Sequence, residues 1–290
     1  MASSSDSNEY PPRMFQPGKS PLQEHSFNYG AHLTEFAKLK DAIGDEVYND
    51  LMNTCAIGAI FKLAAKYYVW SANMVHQFIS NQLCVDRKNE VWSLIGGRPV
   101  RFSLHEFGEI TGFNCDPIVE DGWDIDHTEF WAELGVKTFD GPNWEELNDV
   151  ISRCHTWSEE KKKMVAKLQL LHVGIFGLNR NSRIPLNCAK LVLDEDAFES
   201  YPWGRWAFKK LVESIKAVCL DGATYFIHGF VHAYLIAAYE SVPMFGERFG
   251  VRENHPNPNL IPLPRWRSSR KRFRLETVVQ REKENTPDNK

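Results

Sequence analysis

Glu90-Val91-Trp92-Ser93-Leu94-Ile95 is followed by Gly96-Gly97-Arg98-Pro99, then Val100-Arg101-Phe102, then Ser103-Leu104-His105-Glu106. Two short apolar runs joined by Gly and Pro punctuation predict a small β-hairpin. The Ser-x-x-Glu that follows is a capping-box pattern, in which the Ser hydroxyl and the Glu carboxylate each satisfy a backbone N–H at a helix start. Gly112 predicts the C-cap of that helix.

Outward from this stretch the apolar spacing is helical. Periodicity predicts helices over Glu46 to Ala65 and Ser71 to Val85, the second carrying Met74, Phe78 and Ile79 on one face with Leu83 close by. Further helices are predicted over His127 to Leu134 and Trp144 to Arg153, and a longer one from about Ser158 to Leu178. Pro202 stands where a helix start tolerates proline, so Pro202 to Val218 reads as a helix, followed by an apolar one from Ala223 to Tyr239 that Pro243 ends. Asn254 to Pro264 holds four prolines and reads as irregular, and the first thirty residues, with four prolines from Pro11 to Pro21, read as a flexible arm. No period of about 20 to 50 residues repeats, which argues against a solenoid or propeller. The expected fold class is mainly α: a single compact helical domain with a small β-hairpin and flexible N- and C-terminal tails. The expected boundaries are a disordered arm over 1–32, the domain over 33–267, and a basic then polar tail over 268–290.

Composition agrees with a folded body. Hydrophobic residues make up 43% of 290, with nine Trp, enough apolar area to offset chain entropy. The six cysteines, Cys55, Cys84, Cys115, Cys154, Cys188 and Cys219, fall at neither zinc-knuckle nor redox-motif spacing and read as buried thiols. No apolar leader follows Met1 and no Asn-x-Ser/Thr acceptor occurs, so the expected compartment is nucleus or cytoplasm. Gly222 to Tyr239 lacks formal charge, but His228, His232 and four hydroxyl-bearing side chains interrupt it, and a core helix is the better reading than a membrane span.

Sites with chemistry are weak. His228 and His232, four apart, would share one helix face as zinc ligands do, yet Gly229 stands where a general-base Glu would be, and no third ligand is indicated. Cys115, flanked by Asn114 and Asp116, is the most tempting nucleophile, and a structural thiol in a turn is commoner. Gly96-Gly97 lacks the residues of a phosphate loop, and Glu159 to Lys163 reads as a solvated helical turn. Trp203, Trp206 and Phe208 beside Arg205 could make an aromatic recognition surface, with core packing the stronger reading. No catalytic residue, metal or cofactor is expected, and the chain reads as a non-enzyme.

The sharpest feature is the strip of Arg265, Arg267, Arg270, Lys271, Arg272 and Arg274, six cations in ten residues with no acid. Without them the formally −4 chain stands at −10. A basic strip on an acidic body is open to three readings: contact with a nuclear-import receptor, contact with nucleic acid, or docking back on the body. Trp266 and Phe273 are interleaved in it as stacking platforms would be.

The run from Gly96 to Phe107, carrying Gly97, Pro99, Arg101, Phe102, Glu106 and Phe107 and ending at Thr111-Gly112-Phe113-Asn114-Cys115, resembles the signature of the plant domain-of-unknown-function family DUF1985. Tyr201-Pro202-Trp203-Gly204, Gly229-Phe230, Tyr239-Glu240-Ser241-Val242-Pro243 and Pro264-Arg265-Trp266 agree, so the resemblance covers roughly residues 45 to 267. Members of that family are commonly fused to a SUMO-protease-like cysteine peptidase domain in genes that look transposon-derived. With Lys290 the last residue, the expectation is a stand-alone member or the front part of a longer product, to which a relative's protease activity does not transfer. The lack of a catalytic constellation and the basic strip make the expected function an uncharacterised, non-enzymatic interaction domain with an unknown protein partner. The alternatives are an accessory domain separated from such a peptidase, or a weak nucleic-acid binder through the basic strip. No membrane partner is expected.

Overall fold

The computed structural model describes residues 10–16, 26–66, 70–118, 124–136, 139–253 and 260–268. In chain order, β1 (Ser26–Tyr29) leads into α1 (Glu35–Ile43), α2 (Asp45–Thr54), α3 (Ala59–Ala64) and α4 (Ala72–Ser80). The hairpin β2 (Glu90–Ile95) and β3 (Arg98–Ser103) precedes α5 (Leu104–Thr111), α6 (Thr128–Leu134), α7 (Trp144–Arg153) and α8 (Glu159–Gln169). After α9 (Leu186–Ala189), α10 (Glu195–Ser200) and α11 (Trp203–Lys216) come β4 (Thr224–Ile227), α12 (Val231–Ser241), α13 (Pro243–Phe249), β5 (Gly250–Arg252) and β6 (Trp266–Ser268). The fold is mainly α with a small antiparallel hairpin.

Two segments form the centre. Every residue from Val165 to Ile175 is buried, spanning the end of α8 and the π-helical turn Leu170–Ile175 that continues it. Every residue of α12 from Val231 to Tyr239 is buried as well. A helix apolar on all sides must be covered on all sides, and α4, α5 and α13 pack on α12 while α1, α2 and α7 pack on α8. In contrast, α11 is two-faced: Trp203, Ala207, Phe208, Leu211, Val212 and Ile215 are buried at helical spacing, while Lys209 and Glu213 are exposed.

The hairpin and its helix follow the sequence reading. Gly96 and Gly97 both have positive φ (58° and 87°) in the two-residue turn, and Ile95 pairs with Arg98 across it. Ser103 and Glu106 form the capping box, and Gly112, at φ 69°, caps the end of α5.

Several expectations give way. The helix expected over Glu46 to Ala65 breaks at Cys55–Gly58 into α2 and α3, where Cys55 adopts extended backbone and a Cβ on Gly58 would sit 2.4 Å from the Leu51 carbonyl oxygen. Within the stretch expected as a flexible arm, Ser26–Tyr29 is a strand, paired in parallel with Thr224–Ile227. That pairing also splits the helix expected over Ala223 to Tyr239: Thr224 to Ile227 is β4, and the helix begins only at Val231. The four residues are β-branched or aromatic and alternate outward and inward, a strand pattern that the longer apolar run conceals. Pro243 does not merely end a helix but sits at the first turn of the next, α13. Finally, Cys84 and Cys219 are exposed and Cys115 half-buried, so only Cys55, Cys154 and Cys188 are buried thiols.

Candidate functional site

Three chain segments cross where backbone meets backbone. A Cβ on Gly30, just past β1, would lie 2.2 Å from the Leu178 carbonyl oxygen, and one on Gly177 would lie 2.4 Å from that of Gly229. Gly229 follows β4 with φ 80°, and its Cβ would collide with the backbone of Leu211 in α11 at 2.6 Å. A side chain at Gly177 or Gly229 would force these segments apart and leave the left-handed backbone strained. One backbone hydrogen bond fastens the crossing, the Gly229 N–H donating to the Phe176 carbonyl at 2.7 Å, while the Leu178 N–H donates to the His172 carbonyl at 2.9 Å within its own segment and closes the turn there. The crossing brings the residues after β1, the loop from Leu178 to Arg183, the end of β4 and the outer side of α11 onto one face.

Four shallow cavities of about 300 to 390 Å3 run along that face and share linings. Leu178 and Phe226 join the first, which includes Tyr29, His32, Trp144 and Arg180, to its neighbours. Lys209, Lys210 and Glu213 join the others. The charged residues lining them are Lys88, Arg180, Arg183, Arg205, Lys209 and Lys210, against only Glu35 and Glu213. Six cations face two acids on a chain whose formal charge is −4, and such a local excess attracts anions whatever the sign of the whole.

Two of the cations are set on rings. Arg180 lies 4.2 Å from the centroid of Trp144, the first residue of α7, and Lys209 lies 5.5 Å from that of Trp206. The His228 ring is 4.5 Å from that of Phe226, with its Nδ1 3.2 Å from the Gly177 carbonyl oxygen. Arg183 forms a two-pronged ion pair with Glu146, and Arg205 donates to the carbonyls of Cys115 and Asp116. No ion pair forms to Lys88, Arg180, Lys209 or Lys210 among the described residues. Burial lowers the pKa of His32 and of His228, with Arg180 lowering the first further and Lys210 the second.

The zinc-helix idea fails on geometry. His228 lies in the loop before α12, not on it, while His232 is buried in α12 with its Nε2 2.6 Å from the Ala31 carbonyl. Among the described residues no group of His, Cys, Asp or Glu could hold a metal ion, and no catalytic constellation is evident. Burial pushes the Cys115 thiol up to about 11, the reverse of what an activated nucleophile needs. No helix among the described residues is long and apolar enough to cross a membrane. Of the aromatic group expected near Arg205, Trp203 is buried away from the face, Phe208 is buried but lines the floor of one cavity, and Trp206 and Arg205 reach the face.

The motif residues lie in packing positions. Phe102 and Phe107 are buried against Phe208, Arg101 pairs with Glu106 at 2.6 Å, and Pro99 stands opposite Leu94 in the hairpin. Thr111 donates its hydroxyl to the Phe107 carbonyl and accepts from the Phe113 N–H. Pro202 precedes α11, the Trp203 indole donates to the Phe198 carbonyl, and the Gly204 N–H donates to that of Asn114. Tyr239 packs at a tilt against Trp266, whose indole donates to Glu240. Part of the basic strip therefore belongs to the folded body: Arg265 ends a short turn, and Trp266 and Arg267 lie in β6 paired with β5. Arg270, Lys271, Arg272 and Arg274 lie outside the described residues.

Residues 79–214 match the family described as domain of unknown function (DUF1985). Over this stretch the chain is similar to DUF1985 domains. The matched stretch runs from the end of α4 into α11 and includes all six cations of the face and Trp144. Phe226, His228, Tyr29 and His32 come from outside it, as do Tyr239, Glu240, Pro243 and the basic strip, so the DUF1985 match is narrower than the motif resemblance. No curated protein and no solved structure matches the chain.

Proposed function

We propose that this chain is a non-enzymatic interaction domain, acting in nucleus or cytoplasm, that captures an anionic partner on the cation-rich face beside α11. The observation that carries this reading is the charge of the connected cavities, six cations to two acids on a chain of formal charge −4. Lys88, Arg180, Lys209 and Lys210 stand without acidic partners among the described residues. Surface lysines and arginines that are not ion-paired internally are available to an external anion. The test is retention on an anionic matrix such as heparin. Arg180→Glu, Lys209→Glu and Lys210→Glu together should shift elution to markedly lower salt while thermal unfolding stays close to the parent. Unchanged elution would refute the proposal.

A further inference from the structure

We propose that the anionic partner is single-stranded nucleic acid, held with its phosphates on Arg180, Lys209 and Lys210 and its bases against Trp144, Trp206 and Phe226. This deepens the preceding reading and rests on it.

The reasoning turns on what each class of polyanion needs. An acidic peptide is recognised by charge, and rings add little to that. A duplex presents phosphates outward and keeps its bases stacked inside, so flat side chains on a protein face find nothing to stack on. A single strand offers both a charged backbone and free base faces, and the proteins that bind it combine a cationic groove with aromatic side chains. Here the two kinds of group are layered together. Arg180 sits over Trp144 and Lys209 over Trp206, while His228 lies against Phe226. A guanidinium over an indole is itself a platform on which a base stacks.

Continuity supports a strand rather than a single small ligand. The first cavity passes into the others through Leu178 and Phe226, and α11 lines three of the four with Lys209, Lys210 and Glu213 among the residues. Glu213 stands in the middle and Glu35 at one end. A strand with one charge per nucleotide can pass its bases over these carboxylates, whereas a polyglutamate repeats its charge at every residue.

The test uses the full chain and fluorescence anisotropy across a salt series, with labelled oligothymidylate and oligouridylate of about 20 nucleotides, a duplex of equal length and a labelled polyglutamate. Binding of the single strands should weaken steeply with salt. Arg180→Ala, Lys209→Ala and Lys210→Ala together should weaken it at least about tenfold and reduce the logarithmic salt slope by about 2. Phe226→Leu keeps charge and apolar bulk but loses the flat ring; it should cost single-strand binding about fivefold or more, with Phe226→Tyr restoring it. A variant with Arg270, Lys271, Arg272 and Arg274 all replaced by Gln should retain most of the affinity.

Each adverse outcome is distinct. If polyglutamate binds as well as the oligonucleotides and Phe226→Leu changes neither, the face takes acidic peptides; the nucleic-acid proposal falls and the anionic-partner reading stands. If the duplex binds best, the stacking argument is wrong. If only the tail variant loses binding, the strip beyond β6 is the contact and this face is not. If none of the probes binds at low salt, both readings fail.

Discussion

Lys167 carries an ammonium whose side chain is 1% exposed, and the acids that neutralise it are much less buried: Glu195 at 68% and Glu199 at 27%. Its Nζ is 2.6 Å from Glu195 and 2.9 Å from Glu199, the second a contact of charge rather than a well-angled hydrogen bond, and it lies 4.5 Å from the Phe198 ring centroid. This unequal burial predicts an unequal response. Removing the acids with Glu195→Gln and Glu199→Gln strands a charge in the core, which costs about 3–5 kcal/mol. Glu199 also accepts from the Ala56 N–H, so its replacement weakens the α2–α3 junction too. Removing the cation with Lys167→Met fills the site with a chain of similar length and leaves Glu195 in water, with only the buried Oε1 of Glu199 losing its cation, so the change should stay within about 1.5 kcal/mol. At about 2–4 °C per kcal/mol for a domain of this size, the double Gln variant should melt roughly 6–20 °C below the parent and Lys167→Met within about 6 °C of it. Thermal unfolding followed by circular dichroism, with urea titration for the free energy, reads both. Equal losses in the two variants would refute the argument, because they would place the burial cost on the carboxylates.

Gly229→Ala should destabilise by about 2–4 kcal/mol in a urea titration, since it combines strained backbone at φ 80° with a Cβ 2.6 Å from Leu211 backbone; a change below about 1 kcal/mol would show that the crossing yields easily. A mild alkylator should label Cys84 and Cys219 first, because they are exposed, while Cys55 and Cys188, buried and with thiols pushed up to about 12, react only on unfolding; mass spectrometry of timed samples identifies the sites. Burial holds His172 and His232 down to about 4 against an ordinary 6.5, so the unfolded chain takes up protons that the folded one refuses. Stability should therefore be level above about pH 6.5 and fall progressively toward pH 4, by on the order of 3 kcal/mol per ring, and His232→Gln should flatten part of that fall in denaturant titrations at several pH values.

Local sequence determined the elements whose stabilising contacts lie within a few residues. The turn at Gly96-Gly97, the capping box of Ser103 and Glu106, the C-cap at Gly112 and the helix over Trp144–Arg153 were all legible, because each depends on a hydrogen bond or a backbone preference between near neighbours. The strand over Thr224–Ile227 was not, since its partner lies about two hundred residues earlier at Ser26–Tyr29 and an apolar run without that partner reads as helix. The short elements between Leu186 and Ser200 went unread for a related reason: segments of four to six residues hold too few turns for periodicity to register. Along the chain, cations crowd together in the strip from Arg265 to Arg274. The cations of the face stand at 88, 180, 183, 205, 209 and 210, with no motif to mark them. Their grouping belongs to the tertiary structure, because the close backbone crossing of Gly30, Gly177 and Gly229 over α11 sets separate segments side by side, and charges add by distance in space rather than by distance along the chain.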